Sequence, residues 1–192
     1  LPQSIGILLL ALLGFYWSRR AFDDRTALYA GLAVLTSAGV FLFTRIFIPD
    51  ALLSLFLAVA LYCFVNSLDT NRTPTQSGRS AYAMWTALAF AVLTKGLVAI
   101  VFLFGTGAIY LILSGEYSQW RRLRLVTGTL LFLAIAAPWH ILAGLRNTGG
   151  MNGHGFFWFY FINEHILRFL GRRIPMDYNK LPGYLYWSLH LV

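Results

Sequence analysis

Long apolar runs, separated by short polar gaps that collect arginine, constrain this chain more than any other feature. A membrane-spanning helix needs about 20 residues, with a range of roughly 17–25. The first run, "LPQSIGILLLALLGFYW", closes at Ser18-Arg19-Arg20. A second begins at Thr26, and a third follows Pro49-Asp50 and reaches Val65. The linker "NSLDTNRTPTQSGRS" reads as a loop, because Asn, Thr, Ser and Pro favour turns. "AYAMWTALAFAVLTKGLVAIVFLFGTGAIYLIL" is too long for one span and divides at Lys95-Gly96 into a fourth and a fifth. After a second polar loop, "EYSQWRRLR", a sixth run extends from about Leu125 to Leu145. The expectation is an all-α, polytopic transmembrane helix bundle. It has about six complete spans, a stretch 145–183 on one face, and a truncated seventh span in "YLYWSLHLV".

Composition excludes a soluble domain. The chain is 58% hydrophobic and 11% charged, with mean hydropathy +0.66, whereas ordinary domains are about one quarter charged. One cysteine, Cys63, lies inside an apolar run, which rules out an intrachain disulfide and a cysteine metal cluster. The formal charge of +8 is carried mainly by arginine in the gaps. That suits anionic lipid head groups or a phosphorylated ligand, and no nucleic-acid-binding motif accompanies it. The chain starts Leu-Pro and stops within an apolar run, so it reads as one partial transmembrane domain, 1–192, of a longer protein.

Positive charge sets the orientation. Alternating the helices puts Arg19, Arg20, Arg25, Arg72, Arg79, Arg121, Arg122 and Arg124 on one side, the cytoplasmic one. The short opposite loops hold only Arg45 and Lys95. Residues 146–183 also carry basic residues yet fall on the outer side, where the rule is weaker because the loop is longer. Asp50, Lys95 and the whole stretch 146–183 are thus expected on the outer face.

Several residues there could do chemistry. Asp50 after Pro49 fits a helix start, where a carboxylate complements the dipole and caps N–H groups. It also fits a carboxylate at the mouth of a membrane cavity, where ionisable groups are usually functional. Lys95 is either an interfacial anchor that snorkels to water or a cation for a phosphate. Thr94 adds a hydroxyl and Gly96 lets the chain bend. The run Phe156 to Phe161 is aromatic throughout and reads as an interfacial helix at head-group level. Behind it come Asn163, Glu164, His165 and Arg168. Glu164 and Arg168 are four apart and can pair on one helix face. His165 and Arg168 are three apart and could hold an anion together. Glu164 and His165 diverge on a regular helix, so "NEH" makes no zinc motif. His140 and His190 read as interfacial hydrogen-bonding residues, and His154, between glycines, as part of a loop.

"WSRRAF", "TRIFIPDALLSLFLAVALY", "AVLTKGLVAIV", "AAPWHILA" and "GFFWFYFINEHILRFL" occur here in the order seen in bacterial GT-C membrane glycosyltransferases. The chain resembles those related to protein O-mannosyltransferases (dolichyl-phosphate-mannose-protein mannosyltransferase-like) and to the aminoarabinose transferase that modifies lipid A. The resemblance implies a periplasmic-face site in the bacterial inner membrane. There a sugar passes from a polyprenyl-phosphate carrier to a protein or lipid acceptor. It implies that Asp50 is catalytic and that Lys95, His165 and Arg168 bind the donor phosphate, with Glu164 and Thr94 beside them. No cofactor is required by the resemblance, and a divalent metal stays an open alternative. Family members also carry, ahead of the matched segments, a membrane helix, a long outer loop with an acidic residue taken as the base, and a Lys-Pro-Pro segment. Those are not in this sequence, so the resemblance implies that these residues alone do not turn over. Two readings of other classes compete. A transporter would use Asp50 and Lys95 as coupling charges, with inverted repeats that the sequence does not show. A lipid-binding membrane protein would be non-catalytic.

Overall fold

The structure is a computed structural model, and it describes residues 2–40, 48–150 and 153–176. Arg45, Asn152, His190 and the expected seventh span lie outside the described residues. Helices α1 (Pro2–Ala21), α2 (Asp24–Thr36), α3 (Asp50–Leu68), α4 (Pro74–Lys95), α5 (Val98–Ser114) and α6 (Leu125–Arg146) follow one another along the chain. No strand occurs among the described residues. Two of the helices, α3 and α6, are long and apolar enough to cross a membrane, and α5 is apolar but shorter. The molecule divides into two compact units, 1–139 and 140–192.

Helix ends follow local chemistry. Asp23 caps α2 by accepting from the Thr26 N–H at 2.7 Å. That hydrogen bond holds the Asp23 carboxyl below its ordinary value. The linker after α3 is less of a loop than its composition suggests. Thr73 and Gln76 form a capping box, Pro74 takes the first helical position, and α4 therefore begins inside the polar stretch. "EYSQWRRLR" likewise winds into a 3₁₀ helix, Tyr117–Leu123, closed by Arg124 at φ 51. The second apolar run is not one helix. At Thr36 the side chain bonds back to the Leu32 carbonyl, Ser37 turns extended, and helix resumes at residue 38. Ser and Thr offer the backbone such alternatives, and the apolar pattern alone does not register them.

In the first unit, α3 and α4 form the centre. α1 runs parallel to α3. Gln3 donates to the Ile48 carbonyl at 2.6 Å at one end; towards the other, Trp17 meets Tyr62 edge-on and Arg20 approaches Asp69 at 4.0 Å. α4 is antiparallel to α3, with Phe56 stacked on Phe90 and Ser77 bonded to the Ser67 carbonyl. α5 closes on both. Gly107 leaves room for the Phe64 ring, whose atoms come within 3.1 Å of where a Cβ would stand. α6 lays Gly128 against Trp85, whose indole N–H donates to the Leu123 carbonyl at 2.9 Å; a Cβ at Gly128 would overlap that ring. Met84, Leu88, Ala91 and Leu103 are fully buried between these helices. Many outward apolar residues stay exposed, among them Leu8, Leu32, Val101 and Leu130, as expected of helices that face lipid.

This topology sorts the charges. The α1–α2 turn, the α3–α4 linker and the 3₁₀ helix all come to one end of the first unit. Asp69 sits at 3.6 Å from Arg72 there, and its carbonyl accepts from Arg122 at 2.8 Å. Asp50 and Lys95 lie at the opposite end.

Candidate functional site

Asp50 is the first residue of α3, and Lys95 is the last of α4. Because these helices are antiparallel neighbours, the two termini meet, and the Lys95 ammonium forms an ion pair with the Asp50 carboxylate. Each charge also complements its own helix: the acid sits at a positive N-terminus and the base at a negative C-terminus. Pro49 precedes Asp50 and supplies no side-chain cap. Gly96, at φ 114, stops α4 directly after Lys95 and returns its N–H to Val92. That backbone conformation excludes most side chains. Thr94 turns its hydroxyl to the Phe90 carbonyl at 2.7 Å, along the helix and away from the pair.

The pair is open to water, with side-chain exposures of 41% for Lys95 and 29% for Asp50. Exposed ion pairs contribute only about 0.2–1 kcal/mol. A stronger anion can therefore take over the ammonium at little cost. Below the pair, α1, α3 and α4 frame an apolar groove of about 500 Å³ lined by Leu9, Leu13, Phe56, Val59, Thr86 and Phe90. Phe56 and Phe90 are one and a half turns from the pair, about 8 Å along the axes at 1.5 Å per residue.

The remaining expected residues belong to the second unit. There Trp158–Leu167 is a π-helix rather than an α-helix, a form frequent at functional sites. Glu164 accepts from Arg168 at 3.0 Å, as four-residue spacing suggests, and also from Arg173 at 2.7 Å. His165 turns its Nδ1 to the Tyr160 carbonyl, five residues back, at 2.5 Å. His165 and Arg168 are thus directed to their own neighbours, Tyr160 and Glu164. The aromatic run stacks in register, Phe156 on Tyr160 and Phe157 on Phe161, and His140 packs edge-on against Tyr160. His154 stacks on Trp158 at 4.1 Å between centroids. Burial pushes the Tyr160 hydroxyl up.

One residue here carries more than its sequence signal. Asn163 is fully buried, donating to the Ile174 carbonyl at 2.7 Å and accepting from the Ile174 N–H at 2.8 Å. It ties the segment after the π-helix back onto it. A lone Asn inside an apolar run was the available clue.

Among the described residues, no three His, Cys, Asp or Glu side chains are grouped to hold a metal. Around Asp50 the donor set is one carboxylate beside an ammonium, which repels a cation. These residues do not fit a divalent ion.

Comparisons with known proteins converge. The family described as dolichyl-phosphate-mannose-protein mannosyltransferase matches residues 1–142. That range contains Asp50, Thr94 and Lys95 but stops before Glu164, His165 and Arg168. An uncharacterised protein of Aquifex aeolicus (strain VF5) is 32% identical over 152 residues, which cover 78% of this chain and 29% of the relative. Two solved structures of ArnT from Cupriavidus metallidurans are similar. The apo form is 28% identical with a TM-score of 0.75, covering 85% of this chain and 29% of that one. The form bound to undecaprenyl phosphate is 27% identical with a TM-score of 0.77, covering 86% and 29%. The chain therefore spans about 29% of the length of the relatives it matches.

Proposed function

Because this chain belongs to the dolichyl-phosphate-mannose-protein mannosyltransferase family, we propose that it forms part of a glycosyltransferase of the bacterial inner membrane. The enzyme takes a sugar from a polyprenyl-phosphate carrier and passes it to a protein or lipid acceptor at the periplasmic face. This chain's share of the enzyme's membrane domain is about six complete spans and a truncated seventh, and α3 and α6 have the length and apolar composition to cross a membrane.

One observation carries the reading. The Asp50–Lys95 pair closes the polar end of two packed helices, and an apolar groove opens about 8 Å away. A polyprenyl phosphate has the same division, an anion on a hydrocarbon tail. The likeness to ArnT bound to undecaprenyl phosphate supports that ligand class. In transfer, the acceptor hydroxyl forms a bond to the anomeric carbon while the sugar–phosphate bond breaks. The bonding electrons leave with the polyprenyl phosphate, and the hydroxyl proton goes to a carboxylate. A cation beside the phosphate stabilises the charge that develops there. Lys95 takes this role when the phosphate displaces Asp50. Asp50, so released, is free to orient the acceptor hydroxyl. His165 and Arg168, the other residues expected to bind a phosphate, belong to the second unit, where they contact Tyr160 and Glu164. Residues 1–192 alone bind donor and do not turn it over.

The experiment is binding of undecaprenyl phosphate to the complete protein in nanodiscs. Lys95→Ala should weaken it at least tenfold, while Asp50→Asn, which frees the ammonium, should leave it equal or tighter. Equal affinity in Lys95→Ala and wild type would leave the pair as an interfacial anchor only.

A further inference from the structure

Beside the 3₁₀ helix Tyr117–Leu123, at the arginine-rich end of the first unit, lies a cavity of about 270 Å³. Pro74 and Ser77 line it from the first turn of α4, and Arg121, Arg122 and Arg124 line it from the 3₁₀ helix and the residue that closes it. We propose that it binds the phosphate of an anionic glycerophospholipid. That lipid belongs to the leaflet opposite Asp50 and Lys95, which positive charge marks as the cytoplasmic one.

The balance of charge favours an anion. Three arginines border the cavity, and among the described residues no carboxylate lines it. Arg121 and Arg124 form no ion pair among the described residues. Arg121 instead lies 5.9 Å from the centre of the Trp120 ring. Asp69 is occupied elsewhere: its carboxylate faces Arg72 at 3.6 Å and Arg20 at 4.0 Å, while its backbone carbonyl accepts from Arg122 at 2.8 Å. Arg122 keeps further N–H donors, since a guanidinium has five. The first turn of α4 adds the positive end of a helix dipole. Arginine grips a phosphate through two parallel N–H donors.

Arg124 is held in place at a cost. Its φ of 51 is left-handed, and no other non-glycine residue among the described ones has a positive φ. Glycine adopts that conformation freely, whereas an arginine there is strained. A turn alone would be better closed by glycine, so the position points to a use for the side chain. The Arg124 guanidinium lies over Gly78 of α4, 3.7 Å from where a Cβ would stand, next along the chain from Ser77. A basic end that only orients the chain in the membrane needs charge and no cavity, and lysine would serve as well.

Size and position agree. Ligand pockets run from about 300 to 1,000 Å³, so this smaller one takes a phosphate and part of its glycerol and leaves the acyl chains outside. α3 ends at Leu68 and α6 begins at Leu125, which sets the cavity at the edge of the apolar helices. Tyr117 and Trp120 of the 3₁₀ helix are exposed, and these residue types are enriched at the head-group level of a bilayer.

The test uses the complete protein, purified and stripped of lipid. Its unfolding midpoint is followed with added dioleoyl-phosphatidylglycerol, dioleoyl-phosphatidylcholine or inorganic phosphate. Phosphatidylglycerol should raise the midpoint at concentrations where the other two do not. Arg124→Gly suits the left-handed backbone, so without lipid it should unfold close to wild type. It should nevertheless need about tenfold more phosphatidylglycerol for the same rise, as for one lost hydrogen bond to a charged group. Arg121→Gln should behave likewise. Arg25→Gln, at the same end but outside the cavity, should respond as wild type does. Phosphatidylcholine acting as well as phosphatidylglycerol would overturn the proposal, and so would a wild-type response in Arg124→Gly and Arg121→Gln. An equal loss in Arg25→Gln would overturn it too, because the response would then belong to the charge of the whole end. Equal stabilisation by inorganic phosphate would overturn the lipid as its source.

Discussion

Residues carry this account where a charge or amide stands in apolar surroundings. Asp50 and Lys95 were conspicuous for that reason, and the antiparallel packing of α3 and α4 brings them together. What the sequence could not show was the pairing, because 45 residues separate the two and only the helix register joins them. Asn163 was equally visible but silent. Its role depends on Ile174, eleven residues on, returning beneath the π-helix. Asn163→Leu should leave the Ile174 N–H and carbonyl without partners, at about 1–3 kcal/mol for each group that water cannot reach. Limited proteolysis should then cut faster between 168 and 176 than in wild type, while α3 and α4 stay protected. Unchanged cleavage would mean the segment is held by other contacts.

Elements were legible by length and illegible by ending. Apolar runs located α1, α3, α5 and α6 to within a few residues, because burial and lipid exposure both select apolar side chains. Endings are set by single hydrogen bonds. The Thr73–Gln76 capping box starts α4 inside a stretch whose composition says loop, and its Thr-Pro-x-Gln signal was present in the sequence. Thr73→Ala should cost about 0.5–2 kcal/mol, measured as a lower unfolding midpoint. Hydrogen exchange should rise at Gln76 and Ser77 and not at the far end of α4. Protection lost evenly along α4 would contradict a cap confined to its first turn. The π-helix at Trp158–Leu167 was beyond reach, since six aromatics in succession fit an α-helix as well. The wider turn is a matter of backbone bonds spanning five residues, which the side-chain pattern does not encode.

At the scale of the whole molecule, charge segregation read from the sequence agrees with the topology of the first unit. Arginine-bearing connections gather at one end and the Asp50–Lys95 pair at the other. The order of five sequence segments pointed to the family that matches residues 1–142. Neither identifies the sugar, because the residues that contact it are not set by helix packing alone. The central claim is that a polyprenyl-phosphate sugar is the donor and that Lys95 stabilises the departing phosphate. The direct measurement is transfer of label from an undecaprenyl-phosphate-linked sugar to membrane protein and lipid by the complete enzyme. Wild type should transfer the label. Lys95→Ala, still inserted and folded, should lose about 10²–10³ in rate, as when one electrostatic stabiliser of the transition state is removed. Transfer by Lys95→Ala at the wild-type rate, or no transfer by the folded wild type from a polyprenyl-phosphate sugar, would contradict the account.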